Sequence, residues 1–325
     1  MPQQSISYAC GRVGVLKRSA LHKAQIERLL AAPKQQEAMR VLADIGFMTA
    51  DQADFQAAAD QHIRKACDLI NAVTTDPRMT DCFFLRYDVH NLKVLIKSRH
   101  LAHAPEYLSP CGSIGVETLK HCVADRTYVM LPKELAEGLK KLEKRIAVEF
   151  DPLLVDAELD KAMFRQIFQN LEGRQSTAAY RYFQAKADLT NLTMLLRVRA
   201  MGKDAAFFEA LALPGGKADA RSLVNAFADN DRLARLAGVY GMAVKQAAQA
   251  AALDSAKLPY FEKVADDALY GLFAPYRYET ACIEVLIAYL LQKQREAADV
   301  RLILTGKING FPPEAVQERV RELNG

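Results

Sequence analysis

Much that usually announces a function is missing from this sequence. Its cysteines, at positions 10, 67, 82, 111, 122 and 282, form no close pair. That spacing suits reduced thiols in a bacterial or archaeal cytosol and argues against a disulfide framework. No apolar run approaches the length of a bilayer. The longest candidate, "ACIEVLIAYLL" at 281–291, is far too short and contains Glu284. The opening "MPQQSISYACGRVGVLKRS" has no stretch of signal-peptide length. The expectation is a soluble, cytoplasmic chain. Charge of one sign is not in excess: the net charge is +4, too mild for a nucleic-acid binder.

Reactive motifs are scarce as well. "LTGKING" at 304–310 looks like the end of a phosphate loop, but Lys307 is followed by Ile308 rather than Ser or Thr. It reads better as a helix ending in glycine. "GRVG" at 11–14 lacks the rest of a dinucleotide fingerprint. His90, His100, His103, Cys111, His121 and Cys122 are only loosely clustered, without the fixed spacings of a zinc site. No catalytic triad or paired-carboxylate set stands out. The reading is of no catalytic residue, no metal, no cofactor and no small-molecule substrate.

Strand-like alternation is also rare. Ala, Leu, Lys, Glu, Gln and Arg dominate, so the chain is expected to be all-α. Half of it is apolar and a quarter charged, which suits a globular chain with ample core.

What is present is a repetition. "YDVHNLKVLIKSR" at 87–99 returns as "KADLTNLTMLLRVR" at 186–199 and, more loosely, as "REAADVRLILTGK" at 295–307. Asp88, Asn91 and Arg99 correspond to Asp188, Asn191 and Arg199, then to Glu296, Asp299 and Lys307. "DKAMF" at 160–164 and "DDALY" at 266–270 move with them. A period near a third of the chain implies three similar modules, placed at 1–110, 111–215 and 216–325. Each copy is read as the second half of a long helix. The first starts after Asp76 with Pro77. The second runs from near "GRQSTAAYRYFQ" to Gly202, and the third from near Pro275 to Gly306 or Gly310. Phe84, Leu85, Leu92, Leu95 and Ile96 form one buried stripe. Loops are expected at 103–115 and 207–219, with Glu106, Leu108 and Gly112 matched to Glu209, Leu211 and Gly215.

Asp88 and Asn91 are three residues apart and share a helix face with Leu92 and Leu95. Buried polar groups need partners. The six residues Asp88, Asn91, Asp188, Asn191, Glu296 and Asp299 are therefore read as a structural inter-helix network. Three copies of one motif argue against a catalytic carboxylate. Arg99, Arg199, Arg301 and Lys307 are candidate partner-binding cations, with helix-end capping as the competing role.

These stretches, together with "YACGRVGVLKRSALHKAQIERLLAAP" and the closing "ETACIEVLIAYLLQKQREAADVRLILTGKINGFPPEAVQERVREL", resemble the C-subunit family of A-type/V-type ATP synthases. The eukaryotic relative of that family is the V-ATPase d subunit. The resemblance spans essentially the whole chain; Gly14 departs from it, since many relatives carry Arg there. It implies a pseudo-threefold funnel and a non-catalytic rotor subunit. Such a socket couples the central-stalk subunits to the membrane proteolipid ring. The chain would be monomeric when isolated and peripheral at the cytoplasmic face of the membrane. A free-standing helical-repeat scaffold is the alternative that the repetition alone permits.

Overall fold

The computed structural model describes residues 5–17, 20–49, 54–105 and 107–321. Among these residues every regular element is helical. In chain order the helices are α1 (Ile6–Lys17), α2 (Lys23–Ala31), α3 (Gln35–Asp44), α4 (Phe55–Val73), α5 (Pro77–Leu101), α6 (Val116–Ala124), α7 (Lys133–Ile146) and α8 (Pro152–Asn170). They continue with α9 (Ala178–Ala200), α10 (Ala205–Leu211), α11 (Ala220–Ala226), α12 (Asn230–Gly238), α13 (Met242–Leu253), α14 (Leu258–Gly271), α15 (Ile283–Ile308) and α16 (Pro313–Gln317). No helix among the described residues is long and apolar enough to cross a membrane.

The three repeat segments lie in the long helices α5, α9 and α15. Their starts are set locally. Pro77 opens α5, and the Thr177 hydroxyl accepts the Tyr180 N–H at the start of α9. α15 begins at Ile283, later than the sequence suggested. Pro275 instead sits in a 3₁₀ turn over Ala274–Tyr276, and Cys282 is extended. The aromatic-rich "YRYET" between them has little helix preference.

The single buried stripe expected on α5 is too narrow a description. Thr80, Cys82, Phe83, Asp88, Val89, Asn91 and Ser98 are buried along with the aliphatics. α9 and α15 are buried on most of their circumference in the same way. They are central helices rather than amphipathic surface ones, which is why they carry polar groups that must be satisfied inside.

By contact the chain forms two compact units: one of residues 1–76 with 262–325, the other of 77–261. In the first, α15 packs on α4 and also meets α1, α3 and α16. Its core joins Ile26, Leu29, Leu42 and Phe55 to Val300, Ile303, Leu304 and Val316. In the second, α5 packs on α8, α8 on α7, and α12 on α13. The expected loop at 207–219 begins instead with α10. Asp204 caps that helix by accepting the Phe207 N–H at 2.9 Å, and Phe208 is buried within it.

Candidate functional site

The repeat is a set of anchors strung along each central helix. In α5 the Asp88 carboxylate is fully buried and turned onto the chain just ahead of α6. Its Oδ2 accepts from the Ser113 N–H at 3.0 Å and the Ser113 hydroxyl at 2.8 Å, and its Oδ1 accepts the Ile114 N–H at 3.0 Å. In α9, Asp188 does the same ahead of α11, accepting the Lys217 N–H at 2.8 Å and the Ala218 N–H at 3.2 Å. The Tyr240 hydroxyl also donates to Asp188. Burial pushes the Asp88 carboxyl up to about 6, with the main-chain and Ser113 bonds pulling the other way. Asp188 is raised for the same reason.

One turn on, each Asn makes a two-way amide pair with the main chain. Asn91 Nδ2 donates to the Ser109 carbonyl at 2.8 Å, while its Oδ1 accepts the Ser109 N–H at 2.7 Å. Asn191 repeats this on Leu213 at 2.9 and 2.7 Å. Close approach of the loop requires glycine. A Cβ on Gly112 would overlap Asp88 Oδ1, and one on Gly216 would overlap Asp188 Oδ1. The loop match is therefore Ser109-Pro110-Cys111-Gly112 with Leu213-Pro214-Gly215-Gly216. Pairing Gly112 with Gly215 is one residue out of register. Gly215 serves a different purpose, since its φ is +91° and it lies against the Phe168 ring. Glu106, part of the same expected match, lies outside the described residues.

The cation at the end of the motif is eleven residues beyond the carboxylate, three turns and about 16 Å along the same face. Arg99 donates to the Val123 carbonyl at the end of α6 (2.6 Å) and to Glu143 (2.7 Å). Lys307 donates to the Leu30 carbonyl (2.9 Å) and the Ala32 carbonyl, at the end of α2. Arg199 donates to Asn230 Oδ1 at the start of α12 (2.7 Å). The cations of α5 and α15 thus cap the C-terminal end of another short helix, where positive charge is favoured.

Arg301 belongs to a second recurring position. It pairs with Asp60 of α4 and donates to Gln56 Oε1 at 3.1 Å. Its counterpart in α5 is Lys93, which pairs with Asp160 of α8 at 2.6 Å. Lys97 adds a pair with Asp156 at 2.6 Å. The counterpart in α9 is Thr193, whose hydroxyl donates to the Leu189 carbonyl. The sequence repeats single out Asp160 and Asp266 but not Asp60. The spacing of 100 from 60 to 160 is the signal that could have found it.

α15 departs from the other two. Glu296, at the position of Asp88 and Asp188, turns away from the following loop. Its Oε2 accepts from Lys293 Nζ at 2.9 Å and meets His62 Nε2 at 2.8 Å. Burial lowers the His62 pKa, so Lys293 carries the counter-charge. Phe47 stacks on His62 with centroids 4.4 Å apart. Asp299, at the Asn position, accepts the Arg321 N–H at 3.2 Å.

All three central helices end in the same Schellman turn. The N–H of His103, Lys203 and Phe311 returns to the carbonyl of Ser98, Val198 and Gly306, at 3.2, 3.1 and 2.9 Å. The left-handed residue is Ala102, Gly202 or Gly310, with φ of 54°, 67° and 68°. The "TGKING" stretch is therefore a helix end. His100 stacks on Phe150 and the His103 ring meets the Ala104 carbonyl. Among the described residues no group of three or more His, Cys, Asp or Glu is placed to hold a metal.

The geometry is one of fixation: most bonds of these carboxylates, amides and cations go to main chain or to side chains of the chain itself. Comparison with known proteins agrees in kind. The family model for the ATP synthase (C/AC39) subunit matches residues 9–319. The chain is 23% identical over 275 residues to the C subunit of the V-type sodium ATPase of Enterococcus hirae, covering 83% of each. It is 24% identical over 283 residues to the C subunit of the A-type ATP synthase of Thermococcus kodakarensis, covering 83% of this chain and 76% of the relative. Since the family match runs across nearly the whole chain, this all-helical protein belongs to the ATP synthase (C/AC39) subunit family, a non-catalytic accessory subunit of the rotary complex.

Proposed function

We propose that the chain is the rotor socket of a V-type or A-type ATPase or ATP synthase, coupling the central stalk to the membrane proteolipid ring. The observation that carries this reading is the family match over residues 9–319. The anchors described above support it, because a torque coupler needs stiffness rather than a reactive group. Three central helices, each fixed to neighbouring segments, supply that stiffness. The reading includes three modules, near 1–110, 111–215 and 216–325, arranged as a pseudo-threefold funnel. It also includes a monomeric state when isolated and a cytoplasmic, membrane-peripheral location through the complex.

In this proposal Asp88, Asn91, Asp188, Asn191, Glu296 and Asp299 hold the modules and do no chemistry. Arg99, Arg199, Arg301 and Lys307 are the sequence's candidates for partner contact. Their bonds to carbonyls and side chains of the chain itself favour a role in shaping the binding faces. Charge-steered contacts with the stalk foot would then come from other surface groups.

The test is binding of the purified chain to purified central stalk and to membrane rings stripped of the soluble head. Binding to both, with the stalk on-rate falling as salt rises, is the expected outcome. Charge reversal at Arg199 or Lys307 should weaken binding only as far as it lowers thermal stability. A chain that binds neither partner is not a rotor socket, and the helical scaffold reading would replace it.

A further inference from the structure

The motif's Asn position is filled twice by Asn and once by Asp. Asn91 and Asn191 each accept a main-chain N–H and donate to a main-chain carbonyl. Asp299 occupies the same place in α15. Its Oδ1 accepts the N–H of Arg321, 22 residues on, just as Asn191 accepts the N–H of Leu213, 22 residues on. Asp299 is fully buried, and among the described residues its Oδ2, the atom corresponding to the Asn amide nitrogen, has no hydrogen-bond partner. An ionised carboxylate cannot donate, whereas a neutral carboxyl has one O–H to give. We propose that Asp299 is held as a neutral carboxylic acid whose Oδ2–H is donated to the main-chain carbonyl of Arg321. A single proton then completes the asparagine-like pair and latches the C-terminal segment onto α15.

The surroundings fit a neutral group because the nearby charges are already engaged. From α14, Asp266 takes the Arg321 guanidinium (Nε to Oδ2, 2.9 Å) and Asp267 takes Arg295 of α15. The Arg321 guanidinium stands 4.0 Å from Asp299 Oδ1, beyond a hydrogen bond. From α4, His62 faces Glu296 and Asp60 faces Arg301. From α3, Glu37 lies toward Lys307, and from α1, Lys17 lies toward Cys10. α16 packs on α15 through Val316, with Glu314 and Glu318 exposed. Burial pushes the Asp299 carboxyl up to about 7, against the opposing pull of the Arg321 N–H and charge.

The direction of the pH effect follows. An unfolded Asp titrates near 3.9. Between that value and about 7 the folded chain holds a proton that the unfolded chain has lost, so this group's contribution falls as pH rises through the window. Near neutrality the latch is half-released. This holds for the chain itself, whatever partners it has.

Two measurements on the full chain decide the matter. In the wild type, the Asp299 carboxyl carbon should titrate near neutrality by NMR. Thermal unfolding of the wild type and of Asp299→Asn should be compared at pH 5 and pH 8. The variant should gain on the wild type as pH rises, by roughly 2–4 °C. Asp88 and Asp188 titrate in both proteins and cancel in the difference. An Asp299 carboxyl already ionised at pH 5, or a gap between the two proteins that does not change with pH, overturns the proposal. If Asp299→Asn does not fold, the wild-type titration decides alone.

Discussion

In α5 and α9 the carboxylate heading the motif faces a loop; in α15 it faces an amine. Asp88 and Asp188 are saturated by main-chain N–H groups and hydroxyls, and the residue one turn earlier on the helix is Leu85 or Ala185. At that position α15 has Lys293, and across from it α4 has His62 where α8 has Ala162. One helical position thus supports two kinds of interior. The first is a carboxyl that fixes a loop by accepting its main-chain N–H bonds, its pKa raised by burial. The second is a buried ion pair, Lys293 with Glu296, with a neutral His62 on the far side. A helix face dictates where a group sits, while its neighbours decide whether it is charged.

The sharpest break of this contrast is Lys293→Ala. It leaves Glu296 buried without its counter-charge, at a cost of about 3–5 kcal/mol. Denaturant unfolding measures that loss, and the His62 pKa should rise as the imidazole takes over the positive role. Restoring an apolar pair, Lys293→Leu with Glu296→Leu, should recover most of the stability. A loss no larger than that of an exposed pair, under about 1 kcal/mol, would mean that α15 does not differ from α5 and α9 in this way.

The second comparison is between the two loops. Gly112→Ala and Gly216→Ala each push a methyl group into an Asp oxygen, so the loop must lift and its N–H bonds lengthen. Each should cost about 1–3 kcal/mol, and the two should behave alike. Gly115→Ala is the control: its Cβ would meet Thr118 Oγ1 at 3.7 Å, an ordinary contact. Unequal losses at 112 and 216 would show that the loops are not equivalent anchors.

The helical class, the three repeat helices and the polar positions Asp88, Asn91, Asp188 and Asn191 were legible from sequence because a 3.6 period and a long repeat leave marks in residue order. The loop register was not. Glu106/Glu209 and Leu108/Leu211 give a plausible alignment, whereas the real constraint is a glycine pressed against an Asp oxygen, a contact between segments far apart in sequence. Pro110 and Pro214 carry that register in plain sight. The loose third copy hides its divergence because Glu for Asp and Asp for Asn look conservative in a string. In space the longer Glu296 reaches a different helix, and Asp299 loses a donor. The tethering of Arg99, Arg199, Arg301 and Lys307 could not be read either, since each bond joins a helix to a segment that the linear order does not place.

The smallest effect concerns the three helix ends, where α5 differs from α9 and α15 by one methyl group. Gly202 and Gly310 hold the left-handed position at no steric cost, while Ala102 holds it at φ 54° with its Cβ crowding the following carbonyl. That crowding is worth roughly 1–2 kcal/mol for an ordinary residue. Removing the methyl group also gives the unfolded chain more freedom, which offsets part of the gain. Ala102→Gly should therefore stabilise the protein by about 1 kcal/mol, read as a small rise in the denaturant midpoint with an unchanged slope. The reverse change, Gly202→Ala, should destabilise by a similar amount, since its turn closes with the bond from Lys203 N–H to Val198 that corresponds to His103 N–H to Ser98 in α5. If Ala102→Gly lowers stability instead, the α5 turn owes its shape to something other than the shared Schellman geometry, and the three helix ends are alike in outline only.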